Sequence, residues 1–402
     1  MTTQVTIIAD DLTGALDVAG PFAARGHGTF VVVNDEGCAP DQFAGAAVLS
    51  INAASRHLAA GTAAERVRSI VERLCTPAGE ICIKKIDSTL RGNVAAETLA
   101  VMHTLGRANA IVVPAFPAQG RTVAGGVVHV EGVPLAQTGF ARDALSPPPL
   151  APLDQVFRTA APHAQVERVG PDGPFDLARP GEGIRVFVVD SAAQGDLAGT
   201  VQVLNGRLSH CVLVGSAGIA GAVATTCLPQ AGLPERPRAA GQILVTVGSR
   251  AEQSARQVAV LSAQPEVQLV TAPNGEVRGD ALLRASAQTL ILQAAAAADG
   301  REGDAEQVAR TLASATVRVL RGRPVEALVA TGGDTAVAIL EALGRRALQV
   351  VGDLLPGIPY CRLQVDGRRL WLVTKAGGFG TSDTLIQIVE RLRGKPEQRA
   401  GV

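Results

Sequence analysis

The 402-residue chain lacks the composition of several common functional classes. Aromatic residues make up only 3% of it, and 37 Lys and Arg residues are balanced by 37 Asp and Glu residues. Nucleic-acid-binding surfaces usually combine a basic stripe with aromatic side chains on which bases stack, and this sequence has neither. No apolar run approaches the ~20 residues that a membrane-spanning helix needs. We therefore expect neither nucleic acid nor a membrane as a partner.

Cysteine and histidine are too few and too dispersed to form a recognisable framework. The six cysteines include no C-x-x-C pair, and the six histidines show no metal-ligand spacing. Two aspartates, Asp10 and Asp11, interrupt the N-terminus too early for a secretory signal peptide. We expect reduced thiols and a cytoplasmic location. The sequence does not identify the ligands of a metal.

Three well-known motifs are also absent. The sequence contains no G-x-x-x-x-G-K-[ST], no G-x-G-x-x-G after its first predicted strand, and no G-x-S-x-G. It is therefore not a Walker-type P-loop enzyme, and a dinucleotide dehydrogenase or an α/β-hydrolase is disfavoured. The segment Gly215–Gly221 comes closest to the dinucleotide motif but lacks its spacing, so we interpret it as a site of close helix packing.

Short β-branched runs alternate with Ala- and Leu-rich stretches along the whole chain, which is 47% hydrophobic. Continuous apolar runs are typical of parallel strands covered on both faces, so the predicted fold class is α/β. The predicted strands are Val5–Ala9, Ile81–Ile86, Ala110–Val113, Val186–Val189, Cys211–Val214, Ile243–Val247, Thr289–Leu292, Ala327–Ala330 and Leu370–Val373. The predicted helices are Asn93–Leu105, Ala251–Leu261, Asp304–Leu320 and Thr335–Leu343.

Two proline-rich segments interrupt this alternation. Ser146–Pro152 is short, and we interpret it as a surface loop. Leu228–Gly241 is longer and mixes prolines with charges and glycines, as interdomain linkers do. The sequence therefore predicts two domains, residues 1–230 and 231–402, each a mostly parallel sheet flanked by helices.

The first predicted strand is followed by acidic residues. Asp10 and Asp11 come directly after it, and Asp17 follows within the next helix. One aspartate capping the helix would explain one of these acids but not all three. Because ligands bind at the carboxyl ends of strands in open α/β sheets, we expect these carboxylates to handle a metal, a hydroxyl group or a proton.

The next two junctions add cations. Lys84 and Lys85 lie on opposite faces of the second predicted strand, Asp87 ends it, and Ser88 and Arg91 follow. We place Ser88 at a helix cap and Arg91 in the first helical turn, where an anionic ligand would relieve its conflict with the helix dipole. An internal Lys–Asp–Arg ion network is the alternative. Arg121, after the third strand, would on its own be typical of a surface turn.

The predicted second domain has glycine-rich, nearly uncharged junctions instead. Glycines let backbone N–H groups approach phosphate oxygens, and a helix N-terminus adds partial positive charge. Three such junctions in one domain favour nucleotide binding over simple turns. Their candidate residues are Ser249, Gly332, Gly333, Asp334, Thr335, Gly377, Gly378 and Gly380.

Taken together, these motifs resemble the four-carbon acid sugar kinase family along almost the whole chain. The segments ADDLTGA and KIDSTLRGN are the specific ones, and this chain has KAGG where many relatives have a serine and an asparagine. The matching segments are Ala9–Ala15, Lys85–Asn93, Pro114–Pro117 with Gly120 and Arg121, Thr331–Thr335 and Lys375–Gly380.

The resemblance implies a kinase that phosphorylates the terminal hydroxyl of threonate, erythronate or 3-oxo-tetronate, with its active site in the interdomain cleft. ATP and Mg²⁺ would lie on the glycine turns of the second domain. The substrate carboxylate would be held by Arg91 or Lys85, and Asp87 or Asp11 would accept or orient the hydroxyl. The residues implied to line the sugar-acid side are Asp10, Asp11, Lys85, Asp87, Ser88, Arg91 and Arg121.

Two other functions stay open at this point. One is a ribokinase-type sugar kinase with a neutral acceptor, and the other is a two-lobed sensor that binds a sugar acid without turnover. The sequence does not decide which four-carbon acid is used, nor the oligomeric state, for which a homodimer is one option.

Overall fold

The computed structural model describes residues 3–75, 80–143, 146–179, 181–277, 286–296 and 304–395. The chain divides into two compact units, Met1–Leu233 and Pro234–Val402. This division falls within the proline-rich segment Leu228–Gly241. Both units consist of a sheet whose strands are connected largely by helices, as the predicted α/β class requires.

The first unit contains a main sheet and a small antiparallel one. In the main sheet the strands run in the order β2-β3-β1-β4-β11-β5-β10-β9, and all described neighbours pair in parallel. The small sheet has the order β6-β7-β8. The strands are β1 (Val5–Ala9), β2 (Thr29–Val32), β3 (Val48–Asn52), β4 (Ile81–Lys85), β5 (Asn109–Val113), β6 (Arg121–Ala124), β7 (Val127–Val130), β8 (Val133–Pro134), β9 (Gln165–Val169), β10 (Arg185–Val189) and β11 (Cys211–Gly215). The helices are α1 (Leu12–Ala23), α2 (Ala60–Leu74), α3 (Val94–Leu105), α4 (Leu153–Ala160), α5 (Gln194–Val203) and α6 (Ala217–Cys227).

The second unit contains one mixed sheet. Its order is β13-β14-β12-β15-β18-β17-β16, and β17 runs antiparallel to both of its neighbours. The strands are β12 (Gln242–Val247), β13 (Val267–Pro273), β14 (Thr289–Ala295), β15 (Val325–Thr331), β16 (Ala347–Leu355), β17 (Ile358–Val365) and β18 (Arg368–Lys375). The helices are α7 (Glu252–Ser262), α8 (Ala305–Gly322), α9 (Gly333–Ala342) and α10 (Thr384–Leu392).

The central strands carry the apolar runs that predicted them. β1, β3, β5, β11 and β12 are buried along their whole length, as parallel strands with helices on both faces must be. All nine predicted strands and all four predicted helices are present, with ends shifted by a few residues. The strands that were not predicted are β2, β3, β6, β7, β8, β9, β13, β16 and β17. β17 alternates between buried and exposed residues in its second half, so it lacks a continuous apolar run.

Two local predictions were wrong. Arg91 lies before α3, not in its first turn, because Leu90 and Gly92 adopt positive φ angles of 61° and 87° that a helix cannot contain. Asn93, not Ser88, occupies the cap position of α3. Residues 146–152 contain no helix or strand, as predicted, but Ser146 at their start is buried, and its hydroxyl donates to the Arg56 carbonyl oxygen at 3.0 Å.

The N-terminus of α6 packs closely against the chain at the end of β5, which explains the glycine-rich segment that begins at Gly215. A Cβ on Gly215 would collide with the carbonyl oxygen of Val113, and one on Gly218 would lie 2.5 Å from the Ala115 carbonyl oxygen. The backbone of the helix N-terminus therefore touches the backbone that follows β5. The interpretation of this segment as a packing feature is confirmed.

This contact predicts opposite effects for two glycines of the same helix. Gly218→Ala should destabilise the protein by about 1–3 kcal/mol, because backbone atoms must move to accommodate the methyl group. Gly221→Ala should be neutral or stabilising by up to about 1 kcal/mol, because a Cβ there has nothing within 4 Å and alanine favours the helix. Thermal unfolding of both variants measures the difference, and equal midpoints would contradict the packing argument.

Candidate active site

The acidic and cationic residues predicted in the first unit lie at one edge of its main sheet. β1 pairs in parallel with β4, with Ala9 opposite Lys85, and with β3, with Ala9 opposite Asn52. The loops that follow these three strands therefore begin side by side. Asp10 and Asp11 follow β1, and Asp87 follows β4. The predicted carboxylates are thus brought together by strand register.

Arg56, in the loop after β3, lies at the centre of this group. Its Nε and Nη2 atoms donate to Asp10 at 2.7 and 3.1 Å, and its Nη1 atom donates to Asp11 at 2.7 Å. Nη2 is also 3.8 Å from Asp87 Oδ1. Arg56 was not among the predicted site residues, because β3 was not a predicted strand and the loop after it was therefore not a predicted junction.

Asp87 is bound on one side by Arg91. The Arg91 Nε and Nη2 atoms donate to the two Asp87 carboxylate oxygens at 3.0 and 3.1 Å, and the Thr89 backbone and hydroxyl groups donate to Asp87 as well. Burial alone would raise the pKa of Asp87, but the charges of Arg91 and Arg56 hold it well below its usual range. Arg91 Nη1 also lies 3.5 Å from Asp143. The internal ion network considered as an alternative is therefore present, with Arg56 in place of a lysine.

Asp11 is the most accessible carboxylate of the three. Its side chain is 23% exposed, against 4% for Asp10 and 12% for Asp87. One oxygen caps α1 by accepting from the Gly14 amide at 2.8 Å, and the other binds Arg56. Ser88 is buried nearby in sequence, and its hydroxyl forms no hydrogen bond within the described part of the chain.

The two adjacent lysines of β4 lie on opposite faces of the strand, as predicted, and their environments differ. Lys84 is fully buried, 2.8 Å from Glu97 and donating to the Lys85 carbonyl oxygen. Lys85 lies on the face of Asp11, since a Cβ on Gly14 would be 2.8 Å from Lys85 Nζ and 2.7 Å from Asp11 Oδ1. Lys85 Nζ has no hydrogen bond or ion pair with any residue that the structure describes. It is therefore a cation available to a ligand.

Arg121, at the start of β6, is a second cation of this kind. It is only 9% exposed, and within the described ranges no carboxylate lies at ion-pair distance from it. One of its Nη groups donates to the Gln119 carbonyl oxygen, its Nε has no partner there, and its guanidinium lies 5.8 Å from the Phe140 ring centroid. Burial lowers its pKa, and the negative charge of Asp87 opposes this. A buried arginine without a carboxylate indicates a place for an anion.

In the second unit the three predicted glycine-rich junctions also meet. β12, β15 and β18 are neighbours in parallel, with Val247 opposite Thr331 and Thr331 opposite Lys375, so their carboxyl ends are level. A Cβ on Gly377 would collide with Ser249 Oγ. Gly332 has φ of +105°, and a Cβ there would lie 3.3 Å from the Ser249 backbone nitrogen. Ser249 therefore lies between the other two turns.

The N-terminus of α9 adds unpaired donors to this group. Gly332 is its cap residue and provides no side chain, and the amides of Gly333, Asp334 and Thr335 bond no acceptor among the described residues. Such a helix start is suited to a phosphate. Thr335 is only 2% exposed and packs against Gly248, so its side chain contributes to the interior. Gly378 is exposed, and a Cβ there would have nothing within 4 Å.

The two units match two family models. Residues 5–223 match a sugar-binding N-terminal domain, and residues 244–385 match a nucleotide-binding C-terminal domain. The chain is also 34% identical to a D-threonate kinase of Bordetella bronchiseptica, over 97% of each chain. The chain belongs to the four-carbon acid sugar kinase family. This confirms the resemblance drawn from the DDLTG and KIDSTLRGN segments.

Further members of this family are similar to the chain over nearly its whole length, and a solved structure shares its fold. A D-threonate kinase of Cupriavidus necator is 34% identical over 94% of this chain and 95% of its own. A D-erythronate kinase of Heliobacterium modesticaldum is 28% identical over 97% of both chains. A solved structure from Salmonella typhimurium LT2 has a TM-score of 0.74 at 21% identity, covering 96% of this chain and 98% of that one, which shows the shared fold.

Two features are absent from the described residues. No helix among them has the length and apolar character needed to cross a membrane. In the same residues, no group of three or more His, Cys, Asp and Glu side chains is arranged to hold a metal ion. The described ranges therefore contain no metal site built from three or more protein side chains.

The environment of Asp17, which lies one and a half turns along α1 from the site, predicts a pH effect on stability. Burial raises its pKa to about 7, against the opposing charge of Lys85. Because the folded pKa exceeds the unfolded value, the contribution of Asp17 to stability is greatest below about pH 4 and is lost as pH rises through about 7. Asp17→Asn should therefore gain stability relative to wild type between those pH values.

Thermal unfolding midpoints at pH 5, 6, 7 and 8 measure this gain. Asp172→Asn, which changes an exposed aspartate of the same unit, is the control and should follow the wild-type pH profile. A constant difference between Asp17→Asn and wild type over the whole range would contradict the raised pKa.

Proposed function

We propose that this protein is an ATP-dependent D-threonate kinase that phosphorylates the terminal hydroxyl of its substrate. The support for this particular acid is the 34% identity to D-threonate kinases against 28% to a D-erythronate kinase. The observation that carries the acid-binding role is the pair of cations, Lys85 and Arg121, left without carboxylate partners beside a cluster of bound aspartates.

The substrate carboxylate is held by Arg121 and Lys85 in this proposal. Arg91, the other cation predicted for this role, already makes a two-point contact with Asp87, and Arg56 is bound to Asp10 and Asp11. Engaging either of them would leave a buried carboxylate unpaired, which is costly. Arg121 offers a planar fork that suits a carboxylate, and Lys85 adds a point charge.

Asp11 accepts or orients the hydroxyl that attacks the γ-phosphorus, and Asp87 positions the surrounding arginines. Asp11 has the most exposed carboxylate, with one oxygen bound to the Gly14 amide and the other to Arg56, whereas the more deeply buried Asp87 accepts from Arg91 and Thr89. In phosphoryl transfer the enzyme acts mainly through positioning and charge neutralisation, so a weakly basic aspartate is sufficient. Ser88, with a free hydroxyl in the described structure, binds a substrate hydroxyl.

ATP binds at the turns around Ser249, Gly332–Thr335 and Gly377–Gly380, where backbone amides without partners bind phosphate oxygens. Mg²⁺, when bound, neutralises charge on the phosphates. Magnesium in such enzymes is usually held by substrate phosphates, waters and one or two carboxylates, so the lack of a three-ligand cluster in the described residues fits this. Asp334, exposed in the first turn of α9, is the carboxylate placed to take part.

We also place the enzyme in the cytoplasm, as a homodimer. No disulfide joins two cysteines of the described residues, and burial raises the pKa of Cys82 to about 11 and that of Cys211 to about 12. Protonated thiols outside disulfides fit a reducing compartment. Sedimentation velocity measures the oligomeric state directly.

Coupled ADP release tests the proposed activity. The purified protein with ATP and Mg²⁺ should release ADP with D-threonate and give a higher kcat/KM than with D-erythronate, L-threonate or 3-oxo-tetronates. Free sugars of the ribokinase type should give no release above background. Acid binding by calorimetry without any acid-dependent ADP release would instead identify a non-catalytic sensor and overturn the proposal.

Arg121→Met should raise the KM for D-threonate by about tenfold to a hundredfold, because a charge-assisted contact to the carboxylate is lost. The KM for ATP should stay within about twofold of wild type, since this residue belongs to the acid-binding unit. Arg142→Met, which removes an exposed arginine of the same unit, is the control and should leave both constants unchanged. Unchanged use of D-threonate by Arg121→Met would refute the role of Arg121.

A further inference from the structure

The turn after β18, Ala376–Thr381, accepts hydrogen bonds from a buried lysine. Lys375, the last residue of β18, is 1% exposed. Its Nζ atom donates to the carbonyl oxygens of Ala376, Gly377 and Phe379 at 2.8, 3.2 and 3.1 Å. An ammonium group has three N–H donors, so all of them are used on one turn.

Side chains from α7 bind further carbonyls of the same turn. Ser254 Oγ donates to the Gly377 carbonyl oxygen at 2.8 Å. Gln257 Nε2 donates to the carbonyl oxygens of Phe379 and Thr381, both at 2.9 Å. Both side chains are fully buried, so these contacts are made in the interior of the unit. Most carbonyl oxygens of the turn are therefore bound to the protein.

Several backbone amides of the turn, by contrast, have no hydrogen-bond acceptor in the described structure. Those of Phe379 and Thr381 bond the Ala376 carbonyl oxygen and the Thr384 hydroxyl. Those of Gly377, Gly378 and Gly380 bond no acceptor in the part of the chain that the structure describes. A turn with its carbonyls bound and successive amides unpaired is an arrangement that binds anions.

The charge of Lys375 is not needed for packing. No carboxylate lies within ion-pair distance of it among the described residues, and burial lowers its pKa to about 7. Burying an ammonium group is costly unless its hydrogen bonds compensate, and a methionine would fill a similar volume without that cost. The three carbonyl contacts are therefore the physical reason for a lysine at this position.

We propose that Lys375 is a positioning residue that, with Ser254 and Gln257, withdraws the carbonyl oxygens of the turn so that its free amides bind ATP phosphates. A carbonyl oxygen turned toward the nucleotide would repel the phosphates. This role rests on the proposed kinase function and adds to it the device that shapes the nucleotide site.

A graded series of variants tests the proposal. Ser254→Ala, Gln257→Leu and Lys375→Met remove one, two and three contacts to the turn, so the KM for ATP should rise in that order. Lys375→Met should raise it by about tenfold or more, with the KM for D-threonate within about twofold of wild type. Thr374→Val, at the neighbouring position of β18, is the control and should leave both constants unchanged.

Lys375→Arg, which keeps the donors, should restore part of the ATP affinity lost in Lys375→Met. The proposal is overturned if KM for ATP stays at the wild-type value throughout the series, or if both KM values rise together. Should Lys375→Met fail to fold, the other variants decide between the same outcomes. ATP binding measured by calorimetry in each variant separates this result from the kinase proposal, which fails only if the wild type releases no acid-dependent ADP.

Discussion

The acid-binding unit depends on one buried guanidinium. Asp10, Asp11 and Asp87 follow two adjacent strands and would repel one another at the edge of the sheet without a cation among them. Arg56 supplies that cation from the loop after a third strand, and its carboxylate neighbours raise its pKa well above the usual value despite burial. Because removing one member of such a group leaves a buried charge unpaired, the cluster ties the three loops together.

This cluster also determines which cations can serve a ligand. Arg56 and Arg91 are occupied by aspartates, whereas Lys85 and Arg121 are near the same carboxylates without being paired to them in the described structure. A site in which most charged side chains are paired with one another can still bind an acid, provided that some cations remain unpaired. The separation between structural and available cations is thus a property of the geometry, since all four residues carry the same sign.

The nucleotide-binding unit presents backbone groups instead of charged side chains. Its donors are amides at the start of α9 and in the turn after β18, and Lys375 binds carbonyl oxygens instead of a ligand. Glycines at Gly332 and Gly377 allow the turns to approach Ser249 closely, where any side chain would collide or require a disfavoured backbone angle. The first unit therefore presents charged side chains, and the second unit presents backbone amides. These are the groups that an acid substrate and a triphosphate, respectively, would require.

The sequence alone determined the α/β class, the central strands and most of the candidate residues, because burial on both faces of a parallel strand demands a continuous apolar run. It also determined the family, through DDLTG and KIDSTLRGN. It did not reveal Arg56, since a lone arginine in an irregular loop has no periodicity, and its partners are set by the register of β1, β3 and β4. Which cations are paired, and which carbonyls Lys375 binds, depends on distances between segments far apart in the chain, and only the folded structure decides those.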